Sequence, residues 1–397
     1  NEERSAGRPA RVRPTYEMLK GMGAVFGLNC GWEHPLWYAD KPGVKETNGF
    51  TRQSWFEPVG REVKMLRDHA GIIDISNFAN YEVKGSGAAA WLDQLLANRI
   101  PTEIGRSCLS PLIGVRGGVA GDFTVTKVGE DSFMMIGSGM AERYHQRFFN
   151  EVPLPDGTTF KARTDDLCGY NVAGPKSRTL LQRLTNADLT AENFRFMRSQ
   201  TIEVAGVTCL AIRVSFTGDL GWELHCAAAN QVQLFTALLD AAKDVDGGPV
   251  GGRALGSLRI EKGYGSWGRE YSPEYWPQEV ALDRLVKTDK EFLNKAAYLA
   301  VKDNVPRERL SVFEVEVTND ADASGGEPIF LPDGTPVGRV TSGAYGYSVD
   351  KSLALGFVKE GTAKPGDTVE VFILGKPHRA TLLAEPPFDP KGEKLRA

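Results

Sequence analysis

Apolar residues recur at helical spacing in several segments of the first three quarters of the chain, with β-rich runs between them. Spacings of three and four residues predict amphipathic helices, and runs of β-branched and apolar residues predict strands. This part is therefore predicted to be mixed α and β. The predicted helices are residues 16–22, 62–68, 88–97, 141–150, 175–184 and 231–242. The predicted strands between them include residues 132–136, 167–172 and 202–214.

The pattern changes after about residue 307, where short alternating segments replace the helical spacing. Several short strands in a row, separated by turn residues, are typical of a small β-barrel or jelly roll. The predicted strands of this last part are residues 310–317, 328–331, 337–342, 352–358 and 368–373.

Length and charge narrow the class of protein. A chain of 397 residues and 43.3 kDa should divide into two or three domains. A net charge of −4 and a pI near 5.9 give no electrostatic footprint for nucleic acid. Apolar runs are too short for a membrane span, and the polar, Arg-rich N-terminus lacks the apolar core of a secretion signal.

The cysteines and histidines are scattered along the chain without metal-ligand spacing, so no metal site is predicted. An odd number of widely separated cysteines is typical of reduced, mostly packed thiols in an intracellular protein. They are Cys30, Cys108, Cys168, Cys209 and Cys226.

The most informative segment is FTGDLGWEL at residues 216–224, which follows a predicted strand. Its glycines, Gly218 and Gly221, permit a close approach of the backbone to a ligand. A carboxylate such as Glu223 beside aromatic rings suits a flat heteroaromatic ligand with N–H donors. The alternative, a turn between two strands with a solvated acid, remains equally open from this segment alone.

A second segment, GGVAGDFTV at residues 117–125, is a glycine turn that leads into an alternating strand. Asp122 stands where the turn becomes the strand, a position from which a side chain can reach a cleft. An aspartate that only stabilises its own turn is the more common case for a single motif.

Residues 85–90, GSGAAA, fit the GxGxxA pattern of a dinucleotide site between a strand and a helix. Such a site requires a second strand with an acidic residue about 20 positions further on. The chain instead continues into residues 98–101, NRIP, and a Gly/Ser turn region. A nucleotide role here is therefore disfavoured.

Together the segments TGxxGxE and GGxxxD resemble the folate-binding aminomethyltransferases, of which the T-protein of the glycine cleavage system is the simplest member. Further segments match in the same order along nearly the whole chain. Residues 1–9, residues 52–60 and the GWE sequence at 31–33 look closest to the C-terminal half of dimethylglycine and sarcosine dehydrogenases. The other matching segments are residues 23–26, 31–35, 71–76, 172–175, 258–263, 341–343 and 351–355.

The resemblance implies an α+β fold with two intertwined folate-binding domains followed by a C-terminal β-barrel. The domain boundaries expected from it are a linker and N-terminal segment at 1–60, the folate-binding domains at 61–305 and the barrel at 306–397. The folate would lie in a central channel.

The resemblance also implies site residues. Asp122 aligns with the acid beside the folate amine nitrogens and is the predicted catalytic residue. Glu223 aligns with the glutamate that binds the amino-pyrimidine edge of the pterin. Phe216 and Trp222 would stack on the ligand.

Two further positions complete the predicted folate site. Gly118 belongs to the glycine turn before Asp122. Arg259 aligns with the LRLE element of the family, which gives it a role near the folate tail. A buried ion pair that closes the channel wall is an equally good interpretation of Arg259.

Four departures from the family pattern bear on folate affinity and specificity. Gly121 replaces the first of two acids, Phe216 replaces a tyrosine, and Gly137 replaces an asparagine of the simpler T-proteins. Residues 276–282, WPQEVAL, replace the PLEAGL element at the channel mouth.

The implied activity is capture of a one-carbon unit by tetrahydrofolate, giving 5,10-methylenetetrahydrofolate during oxidative N-demethylation of a methylated amine. FAD is expected in a domain or subunit outside this chain. The alternative is a non-catalytic folate-binding or scaffold subunit of such a complex. The expected compartment is the cytoplasm in a bacterium or the mitochondrial matrix in a eukaryote.

Overall fold

The computed structural model of the protein describes residues 4–47 and 49–397. Residues 1–3, with which the N-terminal motif and the predicted 1–60 segment begin, lie outside the described residues.

The predicted helices are confirmed with shifted ends. The second begins earlier than predicted, at Phe56, because Pro58 lies in its first turn, where proline is tolerated. The α-helices are α1 (Tyr16–Gly21), α2 (Phe56–Asp68), α3 (Ala88–Leu95), α4 (Glu142–Phe149), α5 (Ser177–Gln182), α6 (Gln231–Lys243), α7 (Gly252–Glu261), α8 (Lys295–Leu299) and α9 (Glu393–Arg396).

The strands divide into those that precede residue 300 and those of the last part. The first group is β1 (Ala24–Asn29), β2 (Trp32–Tyr38), β3 (Gly71–Asp74), β4 (Ala79–Lys84), β5 (Ser107–Ile113), β6 (Val119–Gly129), β7 (Ser132–Gly137), β8 (Thr159–Ala162), β9 (Leu167–Ala173), β10 (Ser199–Val204), β11 (Val207–Ile212), β12 (Gly221–Ala227) and β13 (Gly248–Val250). The second group is β14 (Glu308–Val315), β15 (Pro328–Phe330), β16 (Pro336–Gly346), β17 (Lys351–Lys359), β18 (Thr368–Ile373) and β19 (Lys376–Leu383).

Two larger sheets form the α+β part. One has the order β5-β6-β7-β4-β8, and the other has the order β10-β11-β12-β9-β3-β13. Side chains from α3 and α4 fill the core behind the first sheet, and side chains from α5 and α6 fill the core behind the second. The two sheets meet where the N–H of Ser199 donates a hydrogen bond of 2.7 Å to the carbonyl oxygen of Gly105, whose own N–H donates one of 2.8 Å to the carbonyl oxygen of Lys127 in β6. The predicted α+β fold is thus confirmed.

The single strand predicted at residues 202–214 is wrong in detail. The chain forms a hairpin there, with β10 and β11 paired antiparallel from Ser199↔Ile212 to Val204↔Val207. Ala205 and Gly206 make the turn with φ values of +49° and +76°. Gly206 adopts such a φ without cost, and this explains why the chain reverses here.

The GxGxxA segment lies in the turn between β4 and α3. β4 pairs antiparallel with β7 and β8, so this turn does not belong to the parallel βαβ unit of a dinucleotide site.

The last part is a closed barrel with the order β14-β17-β16-β15-β18-β19. The predicted barrel is confirmed, although the sequence prediction lacked β19. The barrel is joined to α7 by a hydrogen bond of 2.7 Å from the Ser257 hydroxyl to the carbonyl oxygen of Tyr345. On the other side of α7, Arg67 of α2 forms buried ion pairs with Asp219 and Glu261. Helix α7 and the segment after it therefore connect both sheets with the barrel.

Candidate functional site

Asp122 lies near the start of β6, directly after the predicted glycine turn. Gly117 has a φ of +77°, which glycine adopts readily. A Cβ atom at Gly118 would clash with the carbonyl oxygen of Pro273, so this turn packs tightly against the segment that follows α7. Gly118 therefore contacts protein backbone and positions the strand that carries Asp122.

The Asp122 side chain is partly buried and faces away from the core. The next residue, Phe123, is completely buried between β6 and α4, and successive side chains of a strand point to opposite faces. Burial raises the pKa of Asp122 to about 6. Within the described part of the chain, no other residue donates a hydrogen bond to its carboxylate. An unengaged carboxyl with this pKa can exchange a proton near neutral pH.

Tyr271 lies in a segment after α7 that the sequence analysis missed. Burial raises the pKa of Tyr271, and the charges of Asp122 and Glu270 raise it further, so its hydroxyl stays protonated. The segment is irregular, with an isolated bridge between Tyr271 and Trp267, and it meets β6 where the N–H of Val119 donates a hydrogen bond of 2.9 Å to the carbonyl oxygen of Tyr275. No periodicity in the sequence indicates that this segment reaches the start of β6.

Glu223 lies in β12 and is buried. Its Oε2 atom lies 3.4 Å from Nε2 of His225, which is two residues further on the same face of the strand. The buried Nδ1 of His225 has no hydrogen-bond partner among the residues that the structure describes. The structure thus brings His225 to Glu223.

Hydrogen bonds fix the turn that leads into β12. The Ser215 hydroxyl donates to Oδ1 of Asn171 at 3.1 Å, and Nδ2 of Asn171 donates to the carbonyl oxygen of Trp222 at 3.2 Å. Asn171 is also the cross-strand partner of Glu223 in the pairing of β9 with β12. The turn and the glutamate are therefore held as one unit.

Phe216 lies in this turn and is half-buried. Its ring stacks on Tyr264 with centroids 5.7 Å apart and an interplanar angle of 19°. The predicted aromatic surface near Glu223 thus consists of Phe216 together with Tyr264, a residue that the sequence analysis did not single out.

Trp222 lies elsewhere. Its side chain is completely buried in the core behind the second sheet, where its ring contacts Phe194 edge-on at 6.0 Å. Neighbouring residues of a strand face opposite sides, so Trp222 points away from Glu223. The structure does not bring Trp222 into the candidate site.

Arg259 lies in α7 and is buried in an ion pair with Glu270 at 3.0 Å. It also donates to the Ser342 hydroxyl at 2.7 Å and to the carbonyl oxygen of Tyr264 at 3.0 Å. Burial lowers the pKa of Arg259, and the charge of Glu270 partly restores it. These contacts agree with the second interpretation of Arg259, a buried pair in the wall.

The segment after α7 links the two ends of the site. Tyr275 accepts a hydrogen bond of 2.9 Å from the N–H of Val119 at the start of β6, and Tyr264 stacks on Phe216. Between them, Arg259 binds both the backbone of Tyr264 and the carboxylate of Glu270. One segment therefore contacts the strand that carries Asp122 and the aromatic turn of the second sheet.

Two of the departures from the family pattern have a steric explanation. A Cβ atom at Gly121 would lie 3.0 Å from Nε2 of His145, and a Cβ atom at Gly137 would lie 2.7 Å from the ring of Phe123. His145 and Phe123 themselves pack edge-on with centroids 4.7 Å apart. The two glycines therefore make room for this aromatic pair behind Asp122.

Two further features of the described ranges bear on the site. Their His, Cys, Asp and Glu side chains include no group of three or more placed to hold a metal ion. The helices described there include none that is long and apolar enough to cross a membrane.

Comparisons with known proteins cover nearly the whole chain. The family description "GCVT N-terminal domain" matches residues 15–290, and "Glycine cleavage T-protein C-terminal barrel domain" matches residues 308–389. The chain is 36% identical to the mitochondrial dimethylglycine dehydrogenase of Mus musculus over 97% of its own length and 44% of that protein. It therefore spans less than half of this relative.

Two proteins that are shorter than this dehydrogenase match along nearly their full length. An aminomethyltransferase of Thermotoga petrophila is 29% identical over 94% of this chain and 96% of its own. The crystal structure of the glycine cleavage system aminomethyltransferase T from Bartonella henselae superimposes with a TM-score of 0.82 at 24% identity, covering 96% of this chain and 99% of that one. This last likeness concerns the fold.

Proposed function

Because the chain belongs to the aminomethyltransferase family of the GCVT N-terminal domain and the T-protein C-terminal barrel domain, we propose that it transfers a one-carbon unit to tetrahydrofolate at the site between Asp122 and Glu223. Folate-dependent one-carbon transfer is the chemistry of this family. The observation that carries the proposal for this chain is that Asp122 of one sheet has an unengaged carboxyl with a raised pKa, while Glu223 of the other sheet is buried beside His225.

The residues present fit a reduced folate. Glu223 is an acceptor whose backbone is fixed by the strand pairing with Asn171 and whose Oε2 atom lies 3.4 Å from Nε2 of His225. A carboxylate can accept two N–H groups from an amino-pyrimidine edge, and such charge-assisted hydrogen bonds are the strong ones. Phe216 provides the flat apolar surface that a pterin ring requires. Glu223 and Phe216 would hold and orient the ring.

Tetrahydrofolate would supply the nucleophilic amine nitrogens to which the one-carbon unit becomes bonded. Asp122 is placed to take up the proton that such an amine loses, because its pKa of about 6 leaves it ionised at neutral pH and able to be protonated. Its negative charge would also stabilise positive charge that develops at the reacting nitrogen.

We further propose the physiological setting. The one-carbon unit would be an iminium or formaldehyde released by oxidative N-demethylation of a methylated amine such as dimethylglycine or sarcosine. Support comes from the similarity to dimethylglycine dehydrogenase, of which this chain spans 44%. FAD would then be bound by a partner domain or subunit. We propose a matrix location in a eukaryote, in line with the mitochondrial name of the mouse relative, and a cytoplasmic one in a bacterium.

The test is the rate of 5,10-methylenetetrahydrofolate formation from tetrahydrofolate and formaldehyde, measured against their uncatalysed condensation. The proposal predicts that the wild-type chain exceeds the uncatalysed rate and that Asp122→Asn loses most of this acceleration while still binding tetrahydrofolate. Binding without any acceleration by the wild-type chain would instead support the alternative, a folate-binding scaffold subunit.

A further inference from the structure

Three of the five cysteines form a row across adjacent strands of the second sheet. Cys168 of β9 is directly opposite Cys226 of β12. The pairing of β11 with β12 ends at Leu210↔His225, which brings Cys209 opposite Cys226 one position further. All three side chains lie in the same core, with at most 3% of each residue exposed. We call Cys209, Cys226 and Cys168 the cysteine row.

The geometry of the cysteine row is close to that of a disulfide. The Sγ atoms of Cys168 and Cys226 are 3.4 Å apart. Directly opposite residues of antiparallel strands have Cα atoms about 4.5 to 5.5 Å apart, and disulfides join Cα atoms about 4.4 to 6.8 Å apart. A bond of about 2.05 Å therefore requires small side-chain rotations and no rearrangement of the strands.

The arrangement distinguishes the central thiol from its neighbours. Either thiol of the Cys168–Cys226 pair can donate, and hydrogen bonding with its neighbours lowers the pKa of Cys226. The thiolate is the nucleophilic form of cysteine. Because Cys226 stands between the other two thiols, it has a possible disulfide partner on each side and is taken as the attacking group of the cysteine row.

We propose that the cysteine row is a site of reversible oxidation by hydrogen peroxide, which goes beyond the transfer reaction and does not depend on it. The sulfur of Cys226 attacks one peroxide oxygen, the O–O bond breaks, and a sulfenic acid and one water form. The sulfur of Cys168 or Cys209 then attacks the sulfenic sulfur, the S–O bond breaks, and its thiol proton leaves with the hydroxyl as a second water. Two thiols lose two electrons in total, and peroxide is reduced to two waters.

Because at most 3% of each residue is exposed, the oxidant must be small enough to enter the core through local opening of the sheet. Peroxide is little larger than water, whereas an aromatic disulfide reagent is too bulky to follow that route. Cys30 offers the opposite case, because it is exposed in the turn between β1 and β2. Native protein should therefore react at Cys30 with a bulky disulfide and at the cysteine row with peroxide.

The bond would also lie close to the candidate site. Cys226 follows Glu223 by three residues in β12, and the same pairing of β9 with β12 joins Glu223 to Asn171. A disulfide between Cys168 and Cys226 would covalently link β9 to β12, the strand that carries the predicted folate-binding glutamate.

The experiment treats the folded chain with hydrogen peroxide, alkylates the remaining thiols after denaturation and maps the peptides by mass spectrometry. The expected result is the loss of two alkylated thiols and a cross-linked peptide that joins Cys226 to Cys168 or Cys209, both reversed by dithiothreitol. Cys30→Ser is the matched control and should form the same cross-link. Cys226→Ser should form none within the cysteine row.

Other outcomes overturn the proposal. These are five alkylated thiols after treatment, sulfinic acid at Cys226 without a cross-link, or a disulfide that involves only Cys30 or Cys108. If Cys226→Ser does not fold, the peptide map of the wild-type chain decides by itself, since it identifies the two bonded sulfurs directly.

Discussion

The two carboxylates of the candidate site differ in the contacts that surround them. Glu223 lies two residues from a histidine that contacts it, in a strand held by Asn171 and the Ser215 turn. Asp122 receives no hydrogen bond from another described residue, and burial raises its pKa to about 6. Both acids follow a glycine turn at the start of a strand, so the difference arises from what each sheet packs around them.

The two environments suit two different tasks, binding a ligand and reacting with it. A carboxylate with fixed neighbours has a defined direction and suits recognition, because little ordering remains to be done when the ligand binds. A carboxyl with few partners and a raised pKa can change its protonation state during a reaction. The account therefore assigns recognition to Glu223 and proton transfer to Asp122.

The largest expected effect comes from removing the reactive acid. Asp122→Asn should lower kcat for methylenetetrahydrofolate formation by about 10²- to 10⁴-fold, the usual contribution of a general base. Asp131→Asn, an exposed aspartate in the turn that follows the same strand, is the control and should keep full activity. A variant at position 122 with normal kcat would remove the distinction between the two acids.

A substitution of Arg259 tests the segment that joins the two ends of the candidate site. Arg259→Met leaves Glu270 buried without its partner and should lower the free energy of unfolding by about 3 to 5 kcal/mol in urea titrations. Arg143→Met, at an exposed arginine, should change it by about 0.5 kcal/mol or less. Unchanged stability of Arg259→Met together with weaker folate binding would instead support the predicted role of Arg259 near the folate tail.

The recognition acid should show a different kinetic signature. Glu223→Gln keeps the shape and loses the charge, so KM for tetrahydrofolate should rise by about tenfold while kcat is largely retained. Glu203→Gln serves as the control, because Glu203 is an exposed glutamate in β10 of the same sheet. A loss confined to kcat would exchange the roles of the two carboxylates.

The pH dependence provides a smaller and graded effect. If the ionised form of Asp122 accepts the proton, kcat should fall about tenfold per pH unit below about 6, and the residual rate of Asp122→Asn should be flat there. The folded pKa is raised above the unfolded value, so the contribution of this group to stability is present at low pH and is lost as the pH rises through about 6. Asp122→Asn should accordingly unfold at a higher urea concentration than wild type at pH 7.

The family, the α+β architecture and the two acids could be predicted from the sequence, because glycine turns and ordered motifs are features of short stretches of the chain. Strand alternation alone would also have separated Trp222 from Glu223, since adjacent strand residues cannot face the same ligand. Gly206 likewise signals the hairpin that was predicted as one strand. Contacts such as the hydrogen bond from Val119 to Tyr275 join an irregular segment to a distant strand, and no periodicity encodes them.

The most direct test is calorimetric titration of tetrahydrofolate into the wild-type chain, Glu223→Gln and Asp122→Asn. The account predicts that the wild-type chain binds, that Glu223→Gln binds about tenfold more weakly, and that Asp122→Asn keeps a Kd close to that of wild type. A wild-type chain that does not bind, or an Asp122→Asn variant that loses as much affinity as Glu223→Gln, would contradict the division of roles between the two carboxylates.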